Sequence, residues 1–252
     1  MSALQAGCIG VEADVWPYEG ELFVAHKRDA LSPDRTFRGL YTEPLARKLE
    51  SMNTPHSTHP GREARGIFDA DSSQTLVLLV DIKAEPETAW PLLLHALEPL
   101  RNRGWLTSTR AGKIATGPVT VVVTGKIPRQ LLLLHEEDHN TPHDILLDAP
   151  LSVLAGSHYH SSNNSYWASD SFPKKIGYVW FGKLRSSQLH RVRQHVHEAH
   201  SRGLKARYWG LPTWPPTLRD HVWTALVQEG VDIINVDNLK GVAEAWEQLR
   251  IQ

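Results

Sequence analysis

Short apolar runs rich in β-branched residues recur from one end of this chain to the other, and helix-patterned segments separate several of them. That alternation constrains the fold more than any other feature, because strand, helix and strand in succession build a parallel sheet. Strands are expected at CIGVEADVW, ELFVAH, TLVLLVDIK, VTVVVTG, DILLDAP, KIGYVWFG, LKARYWGLP and VDIINVDN. Helices are expected at ETAWPLLLHALEPLRNRGW, SSQLHRVRQHVHEAHSRG and TLRDHVWTALVQEG, the last two ending at Gly203 and Gly230 as helices commonly do before a chain turns back into a sheet. ELFVAH reads as a local hairpin partner of the first strand, which leaves about seven βα-type strands in 252 residues. The count approaches a TIM-type (β/α)8 barrel of about 250 residues. A doubly wound open sheet is the alternative, but it would usually carry a glycine-rich phosphate loop after its first strand, and neither GxGxxG nor a P-loop occurs. No linker or low-complexity segment interrupts the pattern, so residues 1–252 read as one domain. Met52 to Gly61 and Gly156 to Ser171, rich in Pro, His, Ser, Thr and Asn, read as long surface loops.

With 27 basic against 28 acidic residues the net charge is -1, which offers no electrostatic footprint for nucleic acid or an anionic membrane surface. No apolar stretch nears the roughly 20 residues that span a bilayer. The single cysteine, Cys8, cannot form an internal disulfide, and the N-terminus carries no signal-peptide pattern, so the chain as it stands reads as cytosolic. Its oligomeric state is left open.

The first strand carries the chemistry. Side chains alternate along a strand, so Ile9, Val11, Ala13 and Val15 share one face, and Gly10, Glu12 and Asp14 the other. In a barrel the second set would bring two carboxylates to the C-terminal end, where active sites lie. In TLVLLVDIK, Val77, Leu79, Asp81 and Lys83 share a face, so Asp81 arrives at a strand end too. Three carboxylates at one mouth repel one another unless a cation sits among them, and an all-oxygen set suits Mg²⁺ or Ca²⁺ rather than zinc. The plainer reading is helix capping or pairing with Lys or Arg. His26, followed by Lys27 and Arg28, is placed to act as general acid or base, since histidine titrates near neutrality. Taken alone it reads as an ordinary surface histidine.

VEADVW, then FVAHK, then LLVDIK together resemble the phospholipase C-like phosphodiesterase superfamily, which includes the glycerophosphodiester phosphodiesterases, and within it the fungal altered inheritance of mitochondria protein 6 family. ELFVAH, KIGYVWFG, ARYWGLP and IINVDNL extend the resemblance in order over nearly the whole chain. It implies a barrel holding a divalent cation, usually Mg²⁺, on Glu12, Asp14 and Asp81. It also implies acid/base catalysis by His26 and contact of Lys83 with phosphate. The implied substrate is a small phosphodiester, a glycerophosphodiester or phospholipid headgroup.

In that superfamily a strand ending in a histidine motif precedes VEADVW, whereas Met1 stands 11 residues before Glu12 here. The expectation is therefore a barrel lacking its first strand, most of its first helix and its first catalytic histidine, with His158 and His160 as remote substitutes. Any targeting signal would lie in the missing part. The alternative function is a catalytically incomplete member that binds metal or phosphoester without turnover. A third reading is a sugar-processing barrel using Glu12 and Asp81 as paired carboxylates. The helix face of His190, His197 and His200 reads as solvated. Arg207, Tyr208 and Trp209 end a strand near the mouth, where Trp209 either packs or contacts substrate. Asn235 and Asp237 reach the same end, and Asp237 is expected to cap a helix beginning near Leu239.

Overall fold

The computed structural model describes residues 2–53, 64–110, 113–137, 143–156, 158–180, 182–239 and 241. From residue 54 onward the loop expected at Met52 to Gly61 lies outside the described residues, and so does nearly all of the helix expected after Leu239. The chain divides into two compact units, essentially Ala3–Leu146 and Leu147–Gln252. The mixed α/β class expected from the alternating pattern is the class observed.

The first unit begins with a short helix, α1 (Ser2–Gln5), followed by β1 (Gly10–Tyr18) and β2 (Glu21–Val24). Glu19 and Gly20 join the two strands with φ of 47° and 79°. Two central residues at positive φ make the tight turn whose twist matches paired strands, so the expected hairpin forms. Next come α2 (Glu43–Met52), β3 (Leu76–Ile82), α3 (Pro86–Arg101), β4 (Ser108–Arg110), β5 (Lys113–Ala115), β6 (Val119–Gly125) and α4 (Arg129–Glu137). The strand order is β6-β3-β1-β2, with β1, β3 and β6 parallel and β2 antiparallel at the edge, while β4 and β5 form a separate hairpin. Every residue of β3 is buried except Asp81, as befits a parallel strand covered on both faces. On α3, Ala89, Trp90, Leu93, Ala96, Leu97 and Leu100 form the buried stripe of a 3.6-residue period. Neither α2 nor α4 nor the β4–β5 hairpin was expected.

In the second unit β7 (Ile145–Pro150), which starts at the boundary, is followed by β8 (Ser165–Ser171), α5 (Phe172–Lys175), α6 (Ser186–Ser201), β9 (Lys205–Trp209), α7 (Pro216–Gln228) and β10 (Ile233–Ile234). Here β7, β8, β9 and β10 are parallel neighbours in that order. The core gathers Ala149, Ala168, Phe172, Val192, Tyr208, Val222 and Leu226 between strands and helices. One expected strand is displaced: KIGYVWFG is not a strand among its described residues, and SYWASDS, inside the expected loop Gly156 to Ser171, is. The cap after β10 also differs. Asn238, not Asp237, accepts the Gly241 N–H through its Oδ1 at 3.0 Å. Among the described residues no helix is long and apolar enough to cross a membrane.

Candidate active site

Register builds the site. Residue Asp14 of β1 lies directly beside Asp81 of β3, and Glu12 lies one pleat earlier beside Leu79. Adjacent residues on parallel strands point the same way, so the polar face of VEADVW meets the one polar residue of LVLLVDI. Each of Glu12, Asp14 and Asp81 offers a carboxylate oxygen, and the three oxygens lie within 4.8 Å of one another. No other such group of His, Cys, Asp and Glu occurs among the described residues. Oxygens bound to one Mg²⁺ or Ca²⁺ at about 2.0–2.6 Å end up at most about 5 Å apart, so this donor set fits a hard divalent cation.

Lys83 continues β3 and reaches back between the two aspartates. Its ammonium is hydrogen-bonded to Asp81 Oδ2 and lies 3.1 Å from Asp14 Oδ1. Burial alone pulls its pKa down, but hydrogen bonds to Asp81 and Asp14 and their charges outweigh it, so the net shift is upward from the ordinary lysine value. Lys83 thus stays charged and supplies positive charge between carboxylates that would otherwise repel. His26 follows β2, and its Nδ1 lies 3.1 Å from Asp14 Oδ2 while the side chain is 85% exposed. It is therefore open to a ligand and steered by Asp14. The Ala25 N–H donates to the Asp14 carbonyl at 3.1 Å, and the Trp16 indole donates to the Ala25 carbonyl at 2.8 Å, which holds the histidine's backbone against β1.

Two further residues shape the site. Tyr41 donates its hydroxyl to the Glu12 carbonyl at 2.8 Å and stacks on Phe37. Burial first, then the Asp14 carboxylate, raises its pKa, so the phenol stays a donor. Gly125 ends β6 with φ of +78°, and a Cβ there would press into Asp81 Oδ1 and lie 2.7 Å from the Ile82 carbonyl oxygen. A strand-ending glycine after VTVVVT is a visible signal for the second residue. No local signal marks Tyr41, which lies 29 residues from Glu12.

The structure thus brings together Glu12, Asp14, His26, Asp81 and Lys83, all in the first unit. Trp209 ends β9 in the second unit and is 42% exposed. Its neighbour Tyr208 is a core residue, fully buried, edge-on to Phe172 and 2.8 Å from His195 Nδ1. Arg207 is buried, donates to Asn235 Oδ1 at 2.6 Å and stacks over Trp167. Of the loop histidines, His158 is exposed, whereas His160 is half-buried with Nδ1 2.9 Å from Ser165 Oγ. On α6, His200 pairs with Asp232 at 2.8 Å, and His190 and His197 are exposed.

A parallel α/β unit with three carboxylates, a lysine and an exposed histidine gathered around β1 and β3 fits a phosphodiesterase-like domain. Family comparison agrees, since the model described as "AIM6-like phosphodiesterase domain" matches residues 1–148, a span that contains every one of those side chains. The chain belongs to the altered inheritance of mitochondria protein 6 family. It is 36% identical over 241 residues to the altered inheritance of mitochondria protein 6 homolog of Arthroderma benhamiae, a match covering 94% of this chain and 74% of that protein. To the altered inheritance of mitochondria protein 6 of Eremothecium gossypii it is 34% identical over 263 residues, covering 97% of this chain and 65% of the relative. To that of Kluyveromyces lactis it is 29% identical over 282 residues, covering 96% and 67%. No solved structure matches the chain.

Proposed function

We propose that this chain is a metal-dependent phosphoric diester hydrolase acting on a glycerophosphodiester or phospholipid headgroup. The observation that carries the reading is the cluster of Glu12, Asp14 and Asp81 oxygens within 4.8 Å, with Lys83 set between two of them. In this reading the parallel strands of each unit are consistent with a TIM-type (β/α)8 plan. Glu12, Asp14 and Asp81 hold the cation, Mg²⁺ or alternatively Ca²⁺.

When bound, such a cation stabilises the negative charge that grows on the phosphoryl oxygens during displacement. Lys83 places a second positive charge at the phosphate. His26, exposed and oriented by Asp14, gives a proton to the departing alkoxide.

The test is hydrolysis of glycerophosphocholine and of an aryl phosphodiester by the full chain, with Mg²⁺, with Ca²⁺ and with EDTA. Cation-dependent release of product is expected, and His26→Asn is expected to lower kcat by roughly 10²-fold or more while Mg²⁺ still binds. Cation binding without turnover on either substrate would instead support the catalytically incomplete member. Hydrolysis that persists in EDTA would sink the reading.

A further inference from the structure

The net charge of -1 conceals a strong local asymmetry. From Ser171 to His197 the sequence contains neither Asp nor Glu, yet it carries Lys174, Lys175, Lys183, Arg185, Arg191 and Arg193. The same stretch displays aromatic side chains in water. Tyr178 is 73% exposed and Trp180 62%, and in the loop after β9 Trp214 is 79% exposed. Single exposed apolar residues are ordinary, but three large aromatics on neighbouring loops mark an interaction surface.

These loops leave the same end of the sheet. Ser171, the last residue of β8, sits beside Trp209, the last of β9, and the chains that follow touch, since a Cβ on Gly210 would lie 3.4 Å from Pro173 Cδ. The first loop is pinned. Buried Gln188 donates from Nε2 to the carbonyls of Ile176 at 3.3 Å and Tyr178 at 3.1 Å, Gly177 turns the backbone at φ +99°, and Val179 packs against the core. Tyr178 and Trp180 therefore flank an anchored residue and are held outward. Arg193 is engaged by Glu229, but Lys174, Lys175, Lys183 and Arg185 form no ion pair with the described residues.

We propose that this face docks the chain on an anionic phospholipid bilayer. Tyrosine and tryptophan, apolar with one polar edge, partition into the headgroup region of membranes. Lysine and arginine beside them extend flexible stems toward anionic headgroups, each adding to the attraction. The four cations without an ion pair among the described residues also argue against a second copy of the chain as the occupant, because a self-complementary contact would set the like charges against one another. The balanced overall charge gives a docking surface no chain-wide attraction, so the proposal rests on the local cluster alone. The inference stands apart from the hydrolase reading, since docking uses none of Glu12, Asp14, His26, Asp81 and Lys83.

The experiment is sedimentation of the full 252-residue chain with vesicles of phosphatidylcholine alone and of phosphatidylcholine with about a third phosphatidylserine, read together with tryptophan emission. Partition onto the mixed vesicles with a blue-shifted emission is expected, weakened by about tenfold or more at ~0.5 M salt because screening shortens the reach of the cations. The pair Trp180→Ser with Trp214→Ser, and separately Lys174→Glu with Lys183→Glu, are each expected to weaken partition by about tenfold, with the circular dichroism of the fold unchanged. Absence of partition at low salt overturns the proposal, as does equal binding by the tryptophan variant. A concentration-dependent dimer that the tryptophan variant abolishes would assign the face to a second copy and overturn it too. Cleavage of a soluble glycerophosphodiester tests the other reading and is indifferent to all of these results.

Discussion

Gly125 faces the Asp81 carboxylate with no side chain of its own, at a φ of +78° that an L-residue adopts only with strain. Gly125→Ala combines that strain with a methyl group driven toward Asp81 Oδ1 and the Ile82 carbonyl. The variant is expected to lose about 2–4 kcal/mol in urea unfolding and, because the carboxylate must turn away, to weaken Mg²⁺ binding by roughly tenfold or more in calorimetry. Unchanged Mg²⁺ affinity in a folded variant would show that Gly125 does not set the position of Asp81. At this scale Glu12, Asp14, Asp81 and Lys83 were readable in the sequence because a strand repeats every two residues, so a carboxylate's face follows from its neighbours. Gly125 and Tyr41 were not read, because their contacts with β3 and β1 exist only once separate strands and loops have paired.

Along the elements, burial carries less information where a strand is built from small polar residues. Ser165, Ser169 and Ser171 are all buried in β8. Their hydroxyls made SYWASDS look like loop, while the aromatics of KIGYVWFG made an exposed loop look like a strand. The helix α6 shows a second element-level feature that composition hides. His195 lies half-buried on the side of α6 that meets β9, 2.8 Å from the Tyr208 hydroxyl, with Asp170, Arg191 and Lys175 as its charged surroundings. Burial lowers its pKa, and Arg191 and Lys175 lower it further against the opposing pull of Asp170. The folded chain therefore favours neutral His195, whereas the unfolded chain protonates near the ordinary histidine value of about 6.5. Stability from this group is complete above that value and falls as pH drops below it, since the unfolded state then binds the extra proton. Urea midpoints are expected to decrease from pH ~7.5 to ~5.5, and His195→Gln, which cannot charge, is expected to flatten that decrease. An identical pH slope in both proteins would remove His195 from the account.

For the molecule as a whole, the parallel α/β plan was legible in the spacing of apolar runs, and the net charge of -1 was legible as a sum that includes an acid-free segment from Ser171 to His197. The proposed cation site would link that plan to overall stability. Without a divalent ion, Asp14 and Asp81 share the single ammonium of Lys83, with Glu12 close by. A hard cation held by all three carboxylates in the folded state, and not by the dispersed carboxylates of the unfolded chain, must stabilise the fold by mass action. At about a hundredfold excess over its Kd, Mg²⁺ is expected to add about 2.7 kcal/mol, which for a chain of this size raises Tm by roughly 5–10 °C. EDTA should return Tm to its starting value. Asp14→Asn, which removes a ligand and half of the partners of Lys83, should abolish the response to Mg²⁺ whatever it does to the baseline. Thermal unfolding followed across a Mg²⁺ titration makes the measurement without any substrate. A wild-type Tm that does not move with Mg²⁺ or Ca²⁺ would mean that Lys83 alone balances the acidic cluster, and the phosphodiesterase-like domain would then hold its charges as a structural ion network.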